Sequence, residues 1–88
     1  MLLTKQAAQV LRAMAAAPGG AGTMRPVGAW LSLLPFDAPT FVQAIAELGG
    51  KTPPLVNGRT EGEGDEEIHV VGLTQEGLRQ SETAETVD

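Results

Sequence analysis

Ile68-His69-Val70-Val71-Gly72-Leu73-Thr74-Gln75-Glu76-Gly77-Leu78 reads as a strand that runs directly into a capped helix. The run is rich in β-branched residues and carries no proline, which suits a short strand over Ile68 to Leu73. Thr74 is the residue type whose hydroxyl takes an unpaired amide of a first helical turn, so a last helix is expected around Gln75 to Gln80. Successive strand residues point to opposite faces. Val71 and Leu73 therefore share one face, and Ile68 and Val70 the other. The first face leads into the capped helix and is expected to meet the core.

A strand this short needs a partner and a layer to pack on. Upstream, Pro53-Pro54 leads into Leu55-Val56, the expected partner strand, and Asn57-Gly58 opens a turn region. Residues 59–67 are polar, glycine-containing and acidic, and read as a mobile hairpin tip. The layer comes from three amphipathic helices. Leu3, Ala7, Val10, Leu11 and Met14 recur at helical spacing in the first, over about Thr4 to Ala16, with Thr4 as N-cap. Pro18, Gly19 and Gly20 end it, and Gly19 to Gly22 form a flexible loop. Thr23-Met24 makes a very short extended piece, because proline disfavours helical geometry at the preceding Arg25. Pro26 suits the first turn of the second helix, whose buried face is Val27, Trp30, Leu31 and Leu34. After the turn Pro35-Phe36-Asp37-Ala38-Pro39, Asp37 caps a third helix to about Leu48, with Phe41, Val42, Ile45 and Leu48 inward. Gly49 and Gly50 are expected to supply a left-handed terminating residue. Trp30, Phe41, Ile45, Val56, Val71 and Leu73 form the predicted shared core.

Composition narrows the function. The chain has 88 residues and no cysteine, which removes disulfides, thiolate zinc sites and a cysteine nucleophile together. Lys5, Gln6, Gln9 and Arg12 interrupt the stretch before Ala13, so it lacks an apolar signal core, and no segment has the length of a membrane span. The expectation is a cytoplasmic protein of bacterial type with no membrane role. Net charge is −5, with Glu61, Glu63, Asp65, Glu66 and Glu67 concentrated in the hairpin tip. Lys5, Arg12, Arg25, Lys51, Arg59 and Arg79 are scattered and form no basic run.

The order helix, helix, helix, strand, tip, strand, and two local motifs, resemble the winged-helix family of bacterial transcription regulators. Val71-Gly72-Leu73-Thr74-Gln75-Glu76-Gly77-Leu78 is similar to the V-x-L-T-x-x-G segment after the wing in multiple-antibiotic-resistance-type and phenolic-acid-type regulators. Ala46-Glu47-Leu48-Gly49-Gly50 followed by Leu55-Val56 is similar to their recognition helix running into the wing strand. The resemblance implies an α+β fold: a three-helix bundle with a two-stranded β-hairpin wing and a short C-terminal helix. It covers roughly residues 3–80, leaving 81–88 as an acidic, disordered tail. It also implies a non-enzymatic DNA-binding role in transcription regulation. Thr40, Gln43, Ala44 and Glu47 would then face the bases, and Arg25, Lys51 and Arg59 the phosphates.

The wing departs from that family. Relatives often carry an Asp-Arg-Arg type sequence where this chain has Gly64-Asp65-Glu66-Glu67. DNA affinity comes largely from cations that displace counterions from phosphates, and typical tight binders make roughly 6–10 such contacts. Three candidate cations per chain would require at least a homodimer, which also doubles the acidic wings. Screening at physiological salt acts beyond about 8–10 Å and leaves contact distances repulsive. Two partners therefore stay open, double-stranded DNA by fold analogy and a basic protein surface by charge. The second would use Glu61, Glu63, Asp65, Glu66 and Glu67, or a helix face.

Catalysis finds little support. His69 is the sole histidine, Ser32 falls inside a helix and Ser81 in the tail, so no activated nucleophile is expected. The acidic stretch lacks the spacing of a calcium loop, and Gly19-Gly20-Ala21-Gly22-Thr23 lacks the lysine and preceding strand of a phosphate loop. No metal or cofactor is expected.

Overall fold

A computed structural model describes residues 2–17, 19, 21–83 and 85–87 of the chain. In order these form β1 (Leu2–Thr4), α1 (Lys5–Ala16), β2 (Arg25–Pro26), α2 (Val27–Leu33) and α3 (Ala38–Gly49). Then come β3 (Val56–Glu61), a 3-10 turn (Gly64–Glu66), β4 (Ile68–Leu73), α4 (Gln75–Thr83) and β5 (Glu85–Val87). The protein is a small α+β fold: among the described residues, four α-helices, a three-stranded antiparallel sheet in the order β2-β4-β3, and a parallel pair β1-β5.

The three expected caps form. Thr4 Oγ1 accepts from the Ala7 amide at 3.2 Å, Asp37 Oδ1 from Thr40 at 2.9 Å, and Thr74 Oγ1 from Gly77 at 2.9 Å. Thr74 does more than cap. Its hydroxyl donates to the Pro54 carbonyl at 2.8 Å and its amide to Leu55 at 3.0 Å, while the Leu55 amide donates to Leu48 at 3.0 Å. Leu55 thus ties the end of α3 to the start of α4. A Cβ on Gly77 would collide with the Leu55 carbonyl, so this junction requires glycine three residues after the cap.

The core forms where the helical stripes and one sheet face meet. Leu3, Ala7, Val10, Leu11 and Met14 are buried, as are Trp30, Leu34, Phe41, Leu55, Val56, Val71 and Leu73. Val71 and Leu73 face inward as expected. Val70, on the other side of the sheet, is buried too, and the backbone of Thr23 and the Met24 sulfur lie against that side at Gly72. The Trp30 indole N–H donates to the Val71 carbonyl at 2.8 Å, joining α2 to the central strand.

Five expectations are corrected. The hairpin is longer: β3 pairs with β4 along six rungs, from Val56↔Leu73 to Glu61↔Ile68, so Asn57-Gly58 lies within the strand. The chain reverses instead around Gly62 and Gly64, whose φ angles are +96° and +60°. The extended piece before α2 is Arg25–Pro26, not Thr23–Met24, and it adds the third strand by pairing with Val71 and Val70. Proline, lacking an N–H, is tolerated at that edge and stands just before α2 instead of inside it. Gly50 ends α3 in right-handed geometry (φ −83°), its amide reaching the Ala46 and Glu47 carbonyls at 3.2 Å, so no left-handed residue closes the helix. Within α3, Ala44 is buried and Val42 is 54% exposed, the reverse of the sequence reading. Finally, α4 continues to Thr83, and Glu85–Val87 pair in parallel with Leu2–Thr4, where a tail was expected from Ser81 on. Pro18 and Gly20, expected to end α1 and shape the next loop, lie outside the described residues.

Candidate functional site

The third helix and the hairpin carry every residue singled out for recognition except Arg25 and Lys51. The orientation of α3 follows from what holds its N-terminus and its inner side. Hydrogen bonds from Thr40 hold the Asp37 carboxyl below its ordinary range, so an anion already occupies the first turn. The inner side packs on α1. Gln6 Nε2 donates to the Thr40 carbonyl at 3.0 Å, Ala44 is 3% exposed, and the Glu47 carboxylate accepts from both the Thr4 amide (2.9 Å) and the Thr4 hydroxyl (2.8 Å). Of the four positions expected to face bases, Ala44 and Glu47 are thus turned towards the N-terminal segment, and Thr40 is half-buried with its backbone carbonyl bonded to α1 and its side chain to Asp37. Gln43 alone of them is exposed, and it shares the outward face with Pro39, Val42 and Ala46.

The expected phosphate ligands are dispersed. Residues paired across an antiparallel ladder project to the same face. Arg25, paired with Val71, therefore lies on the helix side, and Arg59, paired with Val70, on the opposite side. The Arg25 guanidinium sits 4.8 Å from the centre of the Trp30 ring, a cation–π contact that uses the charge in packing. Arg59 meets Glu61 at 3.4 Å in an exposed pair, which neutralises it locally while contributing little to stability. Lys51 is half-buried in the connection between α3 and β3.

At the hairpin end Glu61, Glu63, Asp65 and Glu67 are exposed; the side chain of Glu66 lies outside the described residues. His69, on the inward-facing side of β4 but near its open end, reaches the surface. There it lines a shallow groove with Val27, Phe41, Val42, Ile45 and Val71, of about 80 Å³. The sequence did not point to this groove. Its signal was available only as an excess of apolar residues on α3, since Phe41, Val42, Ala44, Ile45 and Leu48 are more than one helix face can bury.

Other chemistry is sparse. The Ser32 and Ser81 hydroxyls donate to carbonyls of their own helices, at Gly28 (3.1 Å) and Leu78 (2.6 Å). Among the described residues no group of three or more acidic, histidine or cysteine side chains is placed to hold a metal ion. No described helix is long and apolar enough to cross a membrane. Comparison with protein-family models, with curated proteins and with solved structures finds no match.

Proposed function

We propose that this chain is a non-catalytic module of winged-helix type that binds a protein partner through its acidic hairpin tip and the outward face of α3, and does not read duplex DNA. The winged-helix assignment is supported by the order of elements, three helices followed by a hairpin that returns to the core and a capped last helix. The observation that carries the functional reading is the rotation of α3. With Ala44 and Glu47 held against the N-terminal segment, the face left for a major groove is Pro39, Val42, Gln43 and Ala46. Gln43 is the one side chain among these able to read a base edge.

Charge supports the same reading. Phosphate affinity needs cations gathered on one surface. Here Arg25 and Arg59 project to opposite sides of the sheet, and Arg59 already has a carboxylate partner. The tip would bring Glu63, Asp65 and Glu67 towards any polyanion approached by the hairpin. A cationic protein surface meets the same carboxylates favourably.

The test is a titration of fluorescently labelled duplex DNA, starting at low salt, where electrostatic attraction is strongest. No saturable binding is expected. Saturable binding whose affinity falls steeply as salt rises would establish phosphate contacts and overturn the reading.

A further inference from the structure

We propose that the groove between α3 and the sheet seats one aliphatic side chain of a basic partner segment, whose lysines or arginines meet the hairpin tip. The inference rests on the protein-partner reading above and specifies the partner's chemistry. Val27, Phe41, Val42, Ile45 and Val71 line the groove with His69; Phe41 and Val71 are buried, Val27 and Ile45 half-buried and Val42 exposed. Its volume of about 80 Å³ suits a single branched side chain. Pockets for small organic ligands run to roughly 300–1,000 Å³, so a free metabolite is a poor occupant. Val42 is 54% exposed in the middle of α3, where a solvent-facing helix position is ordinarily polar.

The tip follows directly on the end of β4 that lines this groove. His69 lines it and pairs with Thr60; the next rung is Glu61↔Ile68, and the turn follows. Glu67, in extended geometry just before β4, precedes His69 by two residues, about 7 Å of extended chain. Side chains three or four residues apart on a helical peptide are roughly 5–6 Å apart. One peptide can therefore fill the groove with an aliphatic residue and hold a cation beside the tip. A second copy of this chain is disfavoured as occupant because it brings another net charge of −5 and its own acidic tip. A nucleic acid is disfavoured for the same reason of sign.

Two synthetic lysine-rich peptides of equal length and charge test this, one with a central leucine and one with alanine in its place. Each is titrated into the isotope-labelled full chain and followed by amide NMR. The leucine peptide is expected to shift Val42, Ile45 and His69 together with residues 63–67, and to bind at least about tenfold tighter than the alanine peptide. Val42→Glu separates the terms. Its site is exposed, so the rest of the spectrum stays unchanged, and an added carboxylate would strengthen a purely electrostatic contact. Weaker leucine-peptide binding is expected instead. Equal affinity for both peptides, with shifts confined to the tip, would overturn the groove while leaving a basic partner at the tip. No shift at the tip with either peptide would overturn both readings. Groove signals that move with protein concentration alone would assign the groove to a second copy and overturn the proposal.

Discussion

Trp30 is 1% exposed, donates its indole N–H to the Val71 carbonyl at 2.8 Å, and carries the Arg25 guanidinium 4.8 Å from its ring centre. The two contacts fasten α2 to both β4 and β2. Removing the ring leaves a cavity among core side chains, so Trp30→Ala is expected to cost roughly 3–5 kcal/mol. Trp30→Phe keeps an aromatic ring but deprives the Val71 carbonyl of a buried donor, and is expected to cost about 1–2 kcal/mol. Urea denaturation of the three proteins checks the order, and a Trp30→Ala loss well under about 1 kcal/mol would contradict the packing. The burial of Trp30 was legible from its spacing with Val27, Leu31 and Leu34. The stacking of Arg25 was not, because its charge alone suggests a phosphate ligand as readily as a cation–π partner. The Glu47–Thr4 contact joins residues 43 positions apart, and no local pattern encodes it.

Helix starts were the most legible elements, because an N-cap is decided by one side chain and amides within three residues of it. Two of these ends also fix how stability responds to acid. Asp37 lies below its ordinary value of 3.8 because Thr40 bonds its charged form. Glu76 lies below 4.5 because Arg79 and Gln80 bond its charged form. A depressed carboxyl contributes stability that is present above its unfolded value and disappears as pH falls through its folded value. Stability is therefore expected to decline as pH drops below 4.5, through the protonation of Glu76 and Asp37. Asp37→Asn retains a capping acceptor but cannot titrate, so its loss below pH 3.8 should be shallower than that of the parent chain. Thermal midpoints measured across pH check this, and parallel curves for the two proteins would exclude Asp37 as a contributor. Helix faces and strand lengths were less legible. Val42 is the larger apolar residue, yet Ala44 is inward, because the side of α3 that carries Glu47 is held to Thr4 at the start of α1. Asn57-Gly58 has turn chemistry, but pairing with all six residues of β4 overrides the dipeptide.

At the scale of the whole molecule, the acidic tip sits apart from the core that folds the chain. The described buried residues lie in the helices and strands or at Leu34 and Leu55, whereas residues 61–65 and Glu67 are exposed. Net charge and element order were readable in advance, so the acidic tip and the helix–hairpin plan were visible in the sequence. The groove was not, since it depends on how α3 is rotated against β4. If the tip serves recognition and not folding, removing it should separate the two. Glu61 and Ile68 form a paired rung, so the six residues between them can be replaced by Asn-Gly, which closes a two-residue hairpin. The shorter connection lowers the entropy lost on closure, and stability should stay level or rise by up to about 1 kcal/mol. Binding of lysine-rich peptides should fall together with the lost carboxylates. Denaturation and peptide titration on the same variant check both halves. A destabilised variant would make the tip part of the fold, and unchanged peptide affinity would move recognition elsewhere on the surface.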